Sequence, residues 1–111
     1  MKLWVDDIRP APAGYIWAKS VEQAKTMISF AQNGFLIGLT DDIFLDLISL
    51  DHDAGDFASD GGDYIEILNW LERVQNAFAW PLSCKFHFHS QNPVGVQNMR
   101  KIIQHNHWEE I

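Results

Sequence analysis

The sequence predicts one small α/β domain with a mainly parallel, four-stranded sheet and helices on both faces. After the first two strand candidates, short β-favouring segments alternate with longer stretches of helical spacing, the pattern of βαβ units. The run from Ile43 to Leu50 is almost continuously apolar, which suits a strand buried on both faces of a parallel sheet. A chain of 111 residues with 47% hydrophobic content can fill one core, so residues 1–111 read as a single domain.

Lys2 to Val5 is the first strand candidate and runs straight into Asp6-Asp7. Arg9 to Gly14, with Pro10 and Pro12, cannot be a helix and reads as a loop. Tyr15 to Ala18 is the second strand. Ser20 followed by Gln23 forms a capping box for a helix that buries Val21, Ala24, Ile28 and Ala31, with a stop signal at Asn33-Gly34. Phe35 to Leu39 reads either as a last helical turn or as an extra short strand. Asp46 interrupts the third strand, so it belongs near the sheet edge or beside a partner. A polar loop from Asp53 to Gly62 leads to Asp63, an N-cap candidate. The helix from Tyr64 to Phe78 carries Ile65, Leu68, Leu71 and Val74 on one side and breaks at Pro81. Lys85 to His89 is the fourth strand. Asn92-Pro93 opens the last helix as a cap with proline at the first position, and Val96, Met99, Ile102 and Ile103 turn inward.

A formal charge of −7 and a pI near 4.9 exclude a protein that wraps duplex nucleic acid through its phosphates. A small phosphorylated ligand stays open, because a bound cation can invert the sign locally. The single cysteine, Cys84, rules out an internal disulfide and thiolate zinc clusters. No segment has the length of a membrane span or the form of a cleaved signal, so a cytoplasmic protein is the expectation.

Ligands of open parallel sheets bind beyond the carboxyl ends of the strands. At that edge the first strand ends in Asp6-Asp7, the third in Asp51-His52-Asp53 and the fourth in His87-Phe88-His89-Ser90. If the first and third strands are neighbours, their carboxylates meet, and such a cluster repels itself unless a cation neutralises it. A hard oxygen-seeking ion, magnesium or manganese, fits Asp6, Asp7, Asp51 and Asp53 better than zinc. The plain alternative is that these aspartates only start loops and cap helices, Asp63 above all.

These segments resemble the receiver domains of two-component response regulators, in which an acidic pair ends the first strand, a phosphoacceptor aspartate the third, and a serine or threonine the fourth. Asp6 and Asp7 match the pair, Asp51 the phosphoacceptor and Ser90 the hydroxyl, while Asp53 sits where receivers use a backbone carbonyl to hold the metal. The chain is more closely similar to the cyclic-phosphate processing receiver domains, through DDIRP near the start, SLDHD in the middle and HSQNPVG before the last helix. This resemblance implies a three-layer, flavodoxin-like fold with strand order 2-1-3-4. No lysine followed by proline stands after Ser90, so the signalling lysine and the fifth strand of receivers are expected to be missing.

Opening a cyclic phosphodiester needs an activated water, charge stabilisation at phosphorus and a proton for the leaving oxygen. Asp7 and Asp51 are the first-choice metal ligands, with Asp6 or Asp53 in support. His52 or His89 supplies the acid or base. Arg9, Ser90, Asn92 and the amides near Val94 and Gly95 are the phosphate-binding candidates, the last by helix N-terminus chemistry. The alternatives are a core position for His87, a side chain of His52 that points away from the pocket, and a simple turn role for Ser90. His105 and His107 end the last helix, where positive charge is favoured; a two-histidine metal site is the other reading. Trp4, Trp17, Trp70, Trp80 and Trp108 read as packing, with Trp17 and Trp80 open to exposure. Two further function classes stand beside the hydrolase. One is a non-catalytic sensor that binds a phosphate or is phosphorylated on Asp51 and alters contacts with a protein partner. The other is a receiver fold used for association alone.

Overall fold

A computed structural model of the chain describes residues 1–36, 45–78 and 83–111. Its elements are β1 (Lys2–Val5), β2 (Tyr15–Ala18), α1 (Val21–Leu36), β3 (Leu47–Leu50), a 3-10 turn (Gly55–Ser59), α2 (Ile65–Phe78), β4 (Lys85–Phe88), α3 (Pro93–His105) and β5 (Glu109–Glu110). All strand pairs are parallel and the sheet runs β2-β1-β3-β4-β5. The predicted order 2-1-3-4 is therefore present, extended by one strand.

That fifth strand corrects the four-stranded expectation. Glu109-Glu110 carries no β-favouring side chain, and its pairing comes from tertiary position. Ile111 N donates to Phe86 O at 2.8 Å, and the Arg100 guanidinium holds Glu110 by two hydrogen bonds of 2.7 and 2.6 Å.

From β2 onward every crossover moves toward the same sheet edge. Right-handed connections then place α1, α2 and α3 over one face. The side chains agree. Leu3, Val5, Ala18, Ile48, Leu50 and Phe86, all fully buried, point to that face and join Val21, Ala24, Ile28, Ile67, Leu68, Leu71, Met99 and Ile103 in one core. The other face presents Lys2, Trp4, Tyr15, Trp17, Leu47, Ser49, Lys85 and His87. Among the described residues no helix covers it. The β1–β2 connection, the one crossover that moves the other way, lies there, with Trp4 Nε1 donating to Arg9 O at 2.9 Å. Helices on both faces are thus replaced by helices on one face and a proline-bearing loop on the other, because Pro10 and Pro12 deny that connection a helix.

Local signals explain most element boundaries. Ser20 Oγ accepts from Gln23 N at 3.1 Å, while Gln23 Oε1 accepts from Lys19 N at 2.9 Å, one residue earlier than in a standard capping box. Helix α1 runs past Asn33-Gly34 to Leu36, since a glycine in a helix costs only about 1 kcal/mol and packing of the earlier turns offsets it. Phe35 is thus helical; residues 37–39 lie outside the described residues, as do Ile43, Phe44, Trp80 and Pro81. Strand β3 starts only at Leu47, and Asp46 before it takes the Met1 amino group at 2.9 Å. Asp63 does not act as the expected N-cap; its carboxylate accepts from Ala54 N at 3.0 Å. Asn92 caps α3 through Gly95 N at 3.0 Å, with Pro93 at the first helical position. His107 ends the helix region in the left-handed conformation, φ 57°, the place glycine usually takes.

Phe86 is fully buried and stacked on Trp108 at 5.3 Å. Phe86→Ala should cost about 3–5 kcal/mol in denaturant unfolding. The Glu110 carboxyl is held below its ordinary range, first by its hydrogen bonds to Arg100 and against the pull of burial. Its stabilising contribution is full above the unfolded pKa and is lost as pH falls through the lowered folded pKa. Glu110→Gln should therefore lower Tm at pH 7, with the gap to wild type closing in acid.

Candidate metal and phosphate site

Parallel pairing of β1 with β3, with Val5 level with Leu50, sets Asp6 and Asp7 beside Asp51 at the carboxyl edge of the sheet. One carboxylate oxygen from each of the three lies within 4.8 Å of the others. The ends of β1 and β3 are tied by Asp51 N donating to Val5 O at 2.9 Å, and the end of β4 by His89 N donating to Leu50 O at 3.0 Å.

The three aspartates are not equivalent. Asp6 is 1% exposed and its carboxylate is saturated. Oδ1 accepts from Ile8 N and Arg9 N, both at 2.9 Å. Oδ2 accepts from His89 Nε2 at 3.0 Å and faces Arg9 Nε at 3.4 Å. Burial raises its pKa, but the Ile8 and Arg9 amides and then His89 outweigh that, so the carboxyl sits below its usual value. Asp7 and Asp51 are half-buried. Asp51 Oδ1 accepts from His52 N at 2.8 Å. The Asp7 carboxyl is pushed up by burial first and then by the neighbouring Asp6 and Asp51 charges, against its own backbone amide. The same carboxylates, after burial, push the Tyr64 phenol up; its hydroxyl donates to Lys19 O at 2.7 Å.

The room for Asp7 comes from Gly55. It stands at φ 54°, and a Cβ there would overlap Asp7 Oδ2. Nothing in the sequence reading pointed to Gly55; its only signal was a glycine within the polar loop after Asp51.

The histidines separate. His89 lies on the loop-covered face, only 8% exposed, between Ser49 Oγ at 2.8 Å and Asp6 Oδ2 at 3.0 Å. Its ring stacks on Trp4 with centroids 3.7 Å apart and 4° between planes. Burial lowers its pKa more than Asp6 raises it. His52 instead pairs with Asp53, Nδ1 to Oδ1 at 2.9 Å, and a Cβ on Gly95 would overlap its ring. That hydrogen bond, ahead of the opposing effect of burial, holds the Asp53 carboxyl low. Asp53 therefore stands with His52 and Asn92, whose Nδ2 donates to it at 3.3 Å, and its side chain is not in the Asp6–Asp7–Asp51 group. His87 is exposed, not a core histidine, and Nδ1 lies 3.2 Å from Ile111 O.

The phosphate candidates also have defined places. Arg9 Nη1 donates to His89 O at 3.0 Å. Ser90 Oγ accepts from Asn92 N at 3.1 Å, which is the turn role. Asn92 takes the Gly95 amide with its side chain and the Val96 amide with its carbonyl. Val94 N–H is left as the first amide of α3 with no acceptor among the described residues. Ser49 and Trp4 are the functional neighbours that sequence reasoning missed. The signal was there: Ser49 is the one polar residue in the buried strand LISL, and a buried hydroxyl needs a partner.

Asp7 and Asp51, oxygen donors with mutual repulsion, have the chemistry of ligands for a hard divalent cation. The repulsion has a measurable consequence. A carboxyl whose folded pKa is raised destabilises the fold above that pKa and stops doing so as pH falls through it. In chelator-containing buffer Asp7→Asn should raise Tm at pH 7, and the gain should vanish in acid.

Among the described residues no helix is long and apolar enough to cross a membrane. No curated protein and no solved structure matches the chain. A model of the cyclic-phosphate processing receiver domain matches residues 1–105. With the β2-β1-β3-β4 order and the acidic pair facing Asp51, that match places the chain in the cyclic-phosphate processing receiver domain family.

Proposed function

We propose that the domain hydrolyses a cyclic phosphate, such as a cyclic nucleotide or a 2′,3′-cyclic end, with a divalent cation as cofactor. The observation that carries this reading is the meeting of Asp7 and Asp51, open and mutually repelling, beside a histidine–carboxylate pair. Asp7 and Asp51 would hold a magnesium or manganese ion, which when bound neutralises phosphate charge and makes its water easier to deprotonate.

The remaining work falls to the chain itself. Asp53 accepts from His52 Nδ1 and so fixes the ring, leaving Nε2 as the atom that exchanges a proton with the reacting oxygens. The Val94 amide, at a helix N-terminus, and the outer nitrogen of Arg9 hold phosphate oxygens. Ser90 Oγ–H is available as a further donor while its lone pair keeps the Asn92 turn. Water oxygen joins phosphorus keeping one hydrogen, the ring P–O bond breaks, and the departing oxygen takes a proton from His52 Nε2. The water's second proton passes to that nitrogen and restores it.

The domain, incubated with magnesium or manganese and a panel of cyclic phosphates, should convert at least one to a monoester by phosphorus NMR. Asp51→Asn should abolish conversion together with the metal-dependent rise in Tm. His52→Gln should keep that rise and lose about 10²–10⁴-fold in rate. A ligand-dependent Tm rise without conversion would favour the sensor reading, in which Asp51 or the bound phosphate alters a partner contact. No metal-dependent shift at all would overturn the site.

A further inference from the structure

We infer that Ser49 is a positioning residue for the acidic site, acting through His89, and that His89 holds Asp6 in place without exchanging protons with a ligand. The inference deepens the hydrolase reading and rests on it for the meaning of the site, but its geometry stands apart from any turnover. Three groups form a chain of contacts: Ser49 Oγ lies 2.8 Å from His89 Nδ1, and His89 Nε2 lies 3.0 Å from Asp6 Oδ2. Ser49 and Asp6 are each 1% exposed. Both ring nitrogens of His89 are spent inside the protein, and the Trp4 indole covers one ring face at 3.7 Å.

The chemistry fixes the protons. An ionised carboxylate can only accept, so Nε2 carries the hydrogen toward Asp6. The reverse tautomer would set a ring lone pair against a carboxylate lone pair at hydrogen-bond distance. Burial of the ring favours the neutral form, against the pull of the Asp6 and Asp51 carboxylates. The Arg9 guanidinium, which lies against both Asp6 and the His89 carbonyl, acts in the same sense as burial. Nδ1 is then an acceptor, and the Ser49 hydroxyl is its donor. Alanine at this position would leave Nδ1 without a partner in a buried site and free the ring to turn or to change tautomer.

The consequence reaches the metal-binding carboxylate through the backbone. Asp6 gathers the Ile8 and Arg9 amides on one oxygen and His89 on the other, and Asp7 sits inside the turn so formed. With the relay broken, Asp6 loses its anchor to β4 and the turn carrying Asp7 loosens. His89 and His52 thus have different roles: one orders a carboxylate, the other, paired with Asp53, faces the chemistry.

The test is the protonation pattern of the imidazole nitrogens in the ¹⁵N-labelled full chain at pH 7.5 without divalent cation. His89 should show a protonated Nε2 and an unprotonated Nδ1. In Ser49→Ala that pattern should move toward the average of exchanging tautomers, and Ser49→Thr, which keeps the hydroxyl, should restore it. Manganese affinity should fall about 10–100-fold in Ser49→Ala, the range for lost outer-shell partners, and recover in Ser49→Thr. A wild-type His89 protonated on Nδ1, or on both nitrogens, would overturn the inference even if the alanine variant failed to fold. So would an unchanged pattern in a folded Ser49→Ala. Failure to find a substrate would count against the hydrolase reading alone, because the nitrogen pattern is read without one.

Discussion

Asp6 is the constraint on which the rest of the site depends. A charge that is 1% exposed must be surrounded by donors or it neutralises itself. Its donors come from the turn that follows it and from the end of β4, so a single carboxylate ties two strand ends that are not neighbours in the sheet. Strand β3 lies between them and carries Asp51. Once Asp6 is held, Asp7 on the adjacent residue and Asp51 across the β1–β3 ladder have little freedom to be elsewhere. Their mutual repulsion is therefore built into the strand pairing.

The layering of the domain follows from one directional rule. Three crossovers that step the same way across a sheet put three helices on one side. The opposite side is left to Trp4, Tyr15 and Trp17 under the proline-bearing loop, with Trp4 and Trp17 spending their indole N–H groups on the backbone of Arg9 and Asp6. This loop starts in the acidic turn, so the covering of the second face and the shape of the site are built from the same residues. The imidazole of His89 is sealed into that layer, whereas His52 lies on the helix side of the edge, against α3 at Gly95.

Much of this was legible in the sequence where the signal is local. Asn92-Pro93 and Ser20 mark helix starts because capping needs particular side chains at particular offsets. The acidic pair and Asp51 were legible because strand ends in a parallel sheet converge at one edge. What escaped depended on partners distant in the chain. Two glutamates do not look like a strand, yet Arg100 and Phe86 make β5. Asp53 reads as another member of an acidic cluster until His52 draws it away. Ser49 carries no role in the sequence until the ring it faces, forty residues on, is in place. The three helices seen among the described residues were legible too; the face they occupy was not, since it depends on the direction of each step across the sheet.

The last strand has a consequence for how molecules of this protein meet one another. An outermost strand offers unpaired backbone groups to any extended chain, and sheets can grow by such addition. Here the outermost strand is two residues long and both are glutamate, with Glu109 exposed and Lys85 Nζ 4.0 Å from its carboxylate. A second copy pairing its own β5 at this border would bring carboxylate against carboxylate. The two glutamates thus set charge against the pairing of one copy's β5 with another's at this border.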